Sequence, residues 1–192
     1  MSKESASGRF LQSKIEHKEG NLVKERKIMT TIHLTYRFSN RYDFPQLTEL
    51  ENLVWNTENT PAEIRYTSTD EYAQHCPEGS QLLALSGDRV CGAFSYRIPT
   101  HLESNQHVAE LALAIHPDFQ GRGVAQALMK EGEEWMKRLG KTKLSLRVMA
   151  TNPRAIRFYE KCGFIRQGVL VNEFRINGQY VDDIMMYKML DD

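Results

Sequence analysis

At 192 residues the chain is long enough for one domain with a substantial core. Its 25 lysines and arginines balance 25 aspartates and glutamates. No block of like charge stands out, which argues against a nucleic-acid or membrane-surface protein.

Three separated cysteines, Cys76, Cys91 and Cys162, form neither a disulfide framework nor a zinc-ligand pattern. No apolar run approaches the roughly 20 residues of a membrane span, and the N-terminus has no apolar signal region. The expectation is a cytoplasmic protein with no metal, no nucleic acid and no membrane partner.

Residues 1–29 contain seven Lys or Arg, four Glu and few large apolar side chains. They read as a polar leader, either a dispensable extension or a partner-binding arm. The domain is expected over residues 30–190. Residues 30–38 alternate around Ile32, Leu34 and Tyr36 and predict a strand. Asp43, Phe44 and Pro45 open a helix whose Leu47, Leu50, Val54 and Trp55 recur at helical spacing. Residues 56–61 have loop composition, and a short helix over 70–75 is closed by Pro77 and Gly79. Strands over 80–85 and 90–99 flank a hairpin turn at Ser86, Gly87 and Asp88.

The next strand, 107–115, has two unlike faces. Leu111, Leu113 and Ile115 should pack on helices; Glu110, Ala112 and Ala114 should leave space for something else. A turn at His116-Pro117-Asp118-Phe119 leads to Gln120-Gly121-Arg122-Gly123-Val124-Ala125. An amphipathic helix follows, its buried stripe traced by Val124, Leu128, Trp135 and Leu139 and its end marked by Gly140. Strand, glycine turn and helix in this order suit an anion. The glycines let the backbone turn tightly and approach a ligand, and the helix start aims unpaired N–H groups at it. Nucleotide binding is a rival reading, but the Gly-Lys-Ser/Thr ending of a P-loop and the third glycine of a dinucleotide turn are missing.

A strand over 144–148 should run parallel to its predecessor, because a helix joins them. Asn152 and Pro153 open a helix that ends near Cys162 and Gly163. Residues 164–176 and 179–190 form a hairpin about Asn177-Gly178. The fold class is α+β: one mixed sheet of about seven strands with about four helices.

Two segments carry a resemblance. Gln120-x-x-Gly123-x-Ala125 and Asn152-Pro153-x-Ala155-Ile156-x-Phe158-Tyr159-Glu160-Lys161-x-Gly163-Phe164 lie about 30 residues apart with a strand between. They resemble the acetyl-CoA loop and the C-terminal motif of the GNAT superfamily of N-acetyltransferases. The ending of the chain is similar to the branch that acts on ribosomal-protein termini, small amines and amino acids.

The resemblance implies a mostly antiparallel sheet whose central parallel pair splays. The pantetheine arm of acetyl-CoA would lie in that gap against Leu113, Ala114 and Ile115, with a backbone N–H near Ile115 for the developing oxyanion. The diphosphate would be held by Gly121, Arg122, Gly123, Val124, Ala125 and Gln126, with Gln120 opening the loop. Asn152 would sit beside the pantetheine, where it can also cap its helix. Tyr159 would protonate the departing thiolate, since a phenol of pKa about 10 has similar basicity. Acetyl-CoA is then the co-substrate and an amine the acceptor, with direct transfer between them and a homodimer compatible with the family. The alternative is a non-catalytic acyl-CoA-binding domain that keeps the fold.

The base is open on the residues. Glu110 begins the strand that borders the expected gap and is the candidate; a rim carboxylate paired with Arg97, leaving the proton to a water, is the other reading. Arg147 stands where some ribosomal-protein acetyltransferases place a glutamate. If Asn177-Gly178 is a two-residue turn, Glu173 lies opposite Asp182, and the two would meet a substrate ammonium or form a solvated face relieved by Arg175. Cys162 reads as a small buried residue before Gly163. His116 fits a turn, and no histidine pair has metal-ligand spacing.

Overall fold

Two strands at the centre of the molecule run parallel for three residue pairs and then part. A computed structural model describes residues 32–190. The predicted polar leader over 1–29 lies outside the described residues. The strands are β1 (Thr35–Phe38), β2 (Gln81–Ser86), β3 (Arg89–Arg97), β4 (Val108–Ile115), β5 (Lys143–Met149), β6 (Ile165–Ile176) and β7 (Gln179–Met189). They form one sheet in the order β1-β2-β3-β4-β5-β7-β6. Helices α1 (Phe44–Val54) and α2 (Thr69–His75) follow β1, α3 (Val124–Arg138) joins β4 to β5, and α4 (Pro153–Lys161) follows β5. Every neighbouring pair is antiparallel except β4 and β5. Seven strands, four helices and one parallel pair are the architecture expected. Among the described residues no helix is long and apolar enough to cross a membrane.

Each face of the sheet carries its own core. On one face Leu47 and Leu50 of α1 and Tyr72 of α2 pack on Leu83, Leu85, Ala93 and Ala114. On the other, Val124, Leu128, Met129, Trp135 and Met136 of α3 and Ile156 of α4 pack on Phe94, Leu111, Leu144, Leu146, Ile184 and Met186. Burying each large side chain contributes about 1.5–3 kcal/mol. Gly132 completes the stripe of α3 because it has no side chain: a Cβ there would meet the Phe94 ring at 2.5 Å. Leu139 departs from the expected stripe. It is the C-cap of α3 and 46% exposed, where the chain turns through Gly140 at φ +70°.

Several boundaries move for local reasons. β1 begins at Thr35, not near residue 30, because Thr35 already pairs with Leu85 at the end of β2; Ile32 and Leu34 still pack on the core. β3 stops at Arg97, two residues before Pro99, which has no N–H to continue a ladder. α2 starts at Thr69 because the Ser68 side chain accepts the Glu71 N–H. Asp43 does more than open a helix. It accepts the Asn40 N–H at 2.8 Å and two bonds from Arg37 at 2.6 and 2.7 Å, tying the start of α1 to β1.

The β6–β7 hairpin turns at Asn177-Gly178 as expected, with Ile176 opposite Gln179. Its register then breaks. Phe174 pairs with Val181 and Leu170 with Asp183, so β6 spends four steps where β7 spends two. Glu173 and Asp182 are therefore not a facing pair, which corrects the expected register. The bulge is stabilised locally: Asn172 takes a left-handed φ of +55°, and its N–H donates to Asp182 Oδ1 at 2.8 Å.

Candidate active site

The β4–β5 ladder holds Val108 to Lys143, Ala109 to Leu144 and Glu110 to Ser145, and no further. β4 nevertheless continues to Ile115 and β5 to Met149. The His107 carbonyl accepts the Thr142 N–H at 3.0 Å, which fixes which main-chain groups of β4 look toward β5. Alternation along the strand then aims the N–H and C=O of Leu113 and Ile115 at the gap, while Ala112 and Ala114 pair with β3. Buried main-chain groups without a ladder need another partner.

Above the gap the chain turns through a short 3-10 segment at Pro117–Phe119, capped by the His116 side chain accepting the Asp118 N–H at 3.2 Å. His116 is thus a turn residue, as its sequence context predicts. Gln120 then donates its side-chain amide to the Ile115 carbonyl at 3.3 Å. Gly121 and Gly123 both sit in the left-handed region, at φ +73° and +83°, with open space where a Cβ would be. Gly123 is the N-cap of α3 and supplies no side-chain cap. The first bond back into the turn is Ala127 N–H to Gly123 O at 3.1 Å. The N–H groups ahead of it are left for a ligand, at the positive end of a 15-residue helix.

The far wall is α4. Asn152 caps it, its Oδ1 accepting the Ala155 N–H at 3.0 Å, and Pro153 follows at the first turn. Tyr159 packs edge-on between Phe158 and Phe164, with ring centroids 5.2 and 5.7 Å away. Its hydroxyl makes no hydrogen bond among the described residues. Burial pushes the phenol well above its ordinary value, with Cys162 adding to the effect. It therefore stays protonated through neutral pH.

These parts enclose one cleft of about 680 Å³. Of the residues singled out in the sequence, Leu113, Ile115, Gln120, Gly121 and Gly123 line it, as do Ala125, Gln126, Asn152 and Tyr159. Six others do not line it: Glu110, Glu173 and Asp182, and also Ala114, Val124 and Arg122. The Ala114 side chain is covered by α1, so the small-residue face is filled at that point, and the apolar wall of the cleft comes from the opposite face through Leu113 and Ile115. Val124 is fully buried in the core under α3, which leaves only its backbone for a ligand. Arg122 is exposed and outside the cleft lining.

Glu110 sits on the last paired rung before the gap, and Arg97 donates to its Oε1 at 3.1 and 2.5 Å. The rim pairing weighed from the sequence is present. Arg147, two residues beyond that rung on β5, binds Asp183 at 2.5 Å and Glu173 at 3.0 Å. Cys162 is the C-cap of α4 and only half-buried, and its carbonyl accepts from Lys188 at 2.9 Å. Among the described residues no group of His, Cys, Asp or Glu could hold a metal.

Sequence reasoning missed two contributions. Arg154, Arg157 and Lys161 line the cleft from α4 and enter no ion pair among the described residues; their i, i+3, i+7 spacing after Asn152-Pro153 was the available signal. Glu58 and Asn59 line it from the loop between α1 and α2, for which local sequence gave none.

The model of the acetyltransferase (GNAT) family matches residues 44–164. A spermidine N(1)-acetyltransferase of Vibrio cholerae is 41% identical over 80 residues, which cover 41% of this chain and 46% of that protein. The chain thus matches less than half the length of its spermidine-acetylating relatives. An L-amino acid N-acetyltransferase of Escherichia coli is 34% identical over 117 residues, 59% of this chain and 70% of the relative. Among solved structures, a phosphinothricin acetyltransferase from Sinorhizobium meliloti in complex with acetyl-CoA superposes with a TM-score of 0.72 at 21% identity, over 82% of this chain and 88% of that one.

Proposed function

The chain belongs to the acetyltransferase (GNAT) family, and from that premise we propose that it moves the acetyl group of acetyl-CoA to a primary amine by direct transfer. One observation carries the reading. The parallel pair opens after Glu110 and Ser145, and the gap leads into the same cleft as the glycine turn, Asn152 and Tyr159.

The residues fit acetyl-CoA along its length. The N–H groups from Gly121 to Gln126 face its diphosphate, and Arg154, Arg157 and Lys161 supply positive charge for its phosphates. Leu113 offers main-chain N–H and C=O, and Ile115 its N–H, to the amides of the pantetheine arm, with Asn152 beside it. Bound there, acetyl-CoA supplies an activated thioester carbonyl. A bond forms between the amine nitrogen and the carbonyl carbon, and the carbon–sulfur bond breaks.

The main-chain N–H groups of β4 that face the gap stabilise negative charge on the carbonyl oxygen. Tyr159 delivers its proton to the leaving sulfur. Burial makes this phenol a weaker acid than a solvated one. Glu110, or a water it orients, takes the proton lost by the amine; Arg97 holds the carboxylate in place. Glu173, held by Arg147 near the gap, remains a candidate for contact with a cationic acceptor. Asp182 is less suited, because its carboxylate is used by the β6 bulge.

The spermidine and amino-acid relatives support an amine acceptor. The test is thiol release from acetyl-CoA with spermidine, amino acids and a peptide N-terminus as acceptors. Amine-dependent release with a stoichiometric acetylated product is expected. Release that ignores the amine would contradict direct transfer.

A further inference from the structure

The loop between α1 and α2 holds the main chain of Glu58 in place and leaves its side chain exposed. Glu58 N–H donates to Asn56 Oδ1 at 2.9 Å, Asn56 N–H to Asn59 Oδ1 at 3.0 Å, and the Asn59 side-chain amide to the Val54 carbonyl at 2.7 Å. Thr151, just ahead of α4, donates its hydroxyl to the Glu58 carbonyl at 3.2 Å. Both main-chain polar groups of Glu58 are therefore anchored, one to its own loop and one to the α4 side of the cleft.

Glu58 is the one carboxylate among the described residues that line the cleft. The carboxylate takes no hydrogen bond and no ion pair among the described residues, although Arg154, Arg157 and Lys161 line the same cleft. Those cations suit the phosphates of acetyl-CoA. A carboxylate does not: it repels them. Its chemistry serves the other substrate.

It cannot serve the reacting nitrogen as an ammonium anchor, because a protonated amine has no lone pair with which to attack. An exposed carboxylate lining the same cleft as Tyr159, its main chain anchored, is useful to a second, non-reacting cation on the same molecule. Resting on the acetyl-transfer reading above, we propose that Glu58 reads a second ammonium of the acceptor, so that the substrate class is a di- or polyamine.

The test measures thiol release from acetyl-CoA with spermidine and with propylamine, which has a single ammonium. Wild-type protein should show a kcat/KM at least about tenfold higher for spermidine, the discrimination expected of one charge-assisted contact. Glu58→Gln should raise the spermidine KM about tenfold, leaving kcat, the acetyl-CoA KM and the melting temperature unchanged. Glu58→Asp should recover part of the loss.

Equal efficiency with the two amines would overturn the proposal. So would a Glu58→Gln variant that loses kcat at an unchanged spermidine KM, the signature of a base. No release from spermidine by a protein that acetyl-CoA does stabilise would overturn it too, and would leave acetyl-CoA binding standing. Failure of acetyl-CoA to stabilise the wild-type protein would instead remove the reading on which the proposal rests.

Discussion

Arg147 on β5 donates from Nε to Asp183 Oδ2 on β7 at 2.5 Å, across the strand pair that follows the gap. The Asp183 side chain is only 4% exposed, and Glu173 from the β6 bulge joins at 3.0 Å. The arginine thus ties three strands together. Arg147→Met should leave Asp183 buried without its cation and cost about 2 kcal/mol, discounted because the arginine is partly solvated. Adding Asp183→Asn should recover part of that loss. The check is the midpoint of urea unfolding for the single and double variants; a single variant with the wild-type midpoint would show that the pair is neutral.

Gly132→Ala should destabilise the protein. In an exposed helix the change would gain about 1 kcal/mol from propensity. Here the new Cβ would meet ring carbons of Phe94 at 2.5 Å, and that ring is wholly buried. Overpacking of this kind costs about 1–3 kcal/mol. The net sign is read directly from the melting temperature, and a rise would mean that Phe94 can move aside.

Glu51 of α1 is 9% exposed, and its carboxylate accepts from the Trp55 indole. Burial pushes its pKa up to about 7, with the indole bond pulling the other way. The folded value lies above the unfolded one, so the fold favours the protonated form. Its contribution is fully present below the unfolded pKa, near 4.5, and is lost as pH rises through 7. Glu51→Gln removes this dependence. Its stability relative to wild type should improve between pH 4.5 and 8 by about 3 kcal/mol, following the linkage of one pKa unit to 1.36 kcal/mol. Denaturant titrations at several pH values measure it; parallel pH profiles would refute the buried-carboxylate assignment.

Tyr159→Phe keeps the ring that packs on Phe158 and Phe164 and removes only the hydroxyl. It should lower kcat about 100-fold while leaving the acetyl-CoA Kd within about twofold, as expected when a general acid is lost. An unchanged kcat would transfer the proton delivery to water.

What the sequence made legible was local. Gly121 and Gly123 announce left-handed backbone, Asn152-Pro153 announces a helix start, and Asn177-Gly178 announces a hairpin, each through residues adjacent in the chain. The facing of Glu173 and Asp182 was not legible, because two extra residues in β6 shift the register without any glycine or proline to mark them. The role of Ala114 depended on α1 crossing the sheet from about 65 residues away. Glu58 reaches the cleft by tertiary placement alone, which pattern reasoning does not supply. Asp183 stands next to Asp182 in the chain; only the alternation of β7, set by its pairing with β5, turns it inward and leaves Asp182 to the bulge.

The most direct measurement is a thermal-shift titration of the wild-type protein with acetyl-CoA and, in parallel, with ATP. A ligand that binds only the folded state raises the melting temperature in proportion to the logarithm of its concentration above Kd. An opened β4–β5 pair that holds pantetheine predicts a concentration-dependent rise with acetyl-CoA and none with ATP over the same range. No rise with acetyl-CoA, or an equal rise with ATP, would contradict it and leave the glycine turn as a general phosphate site or none.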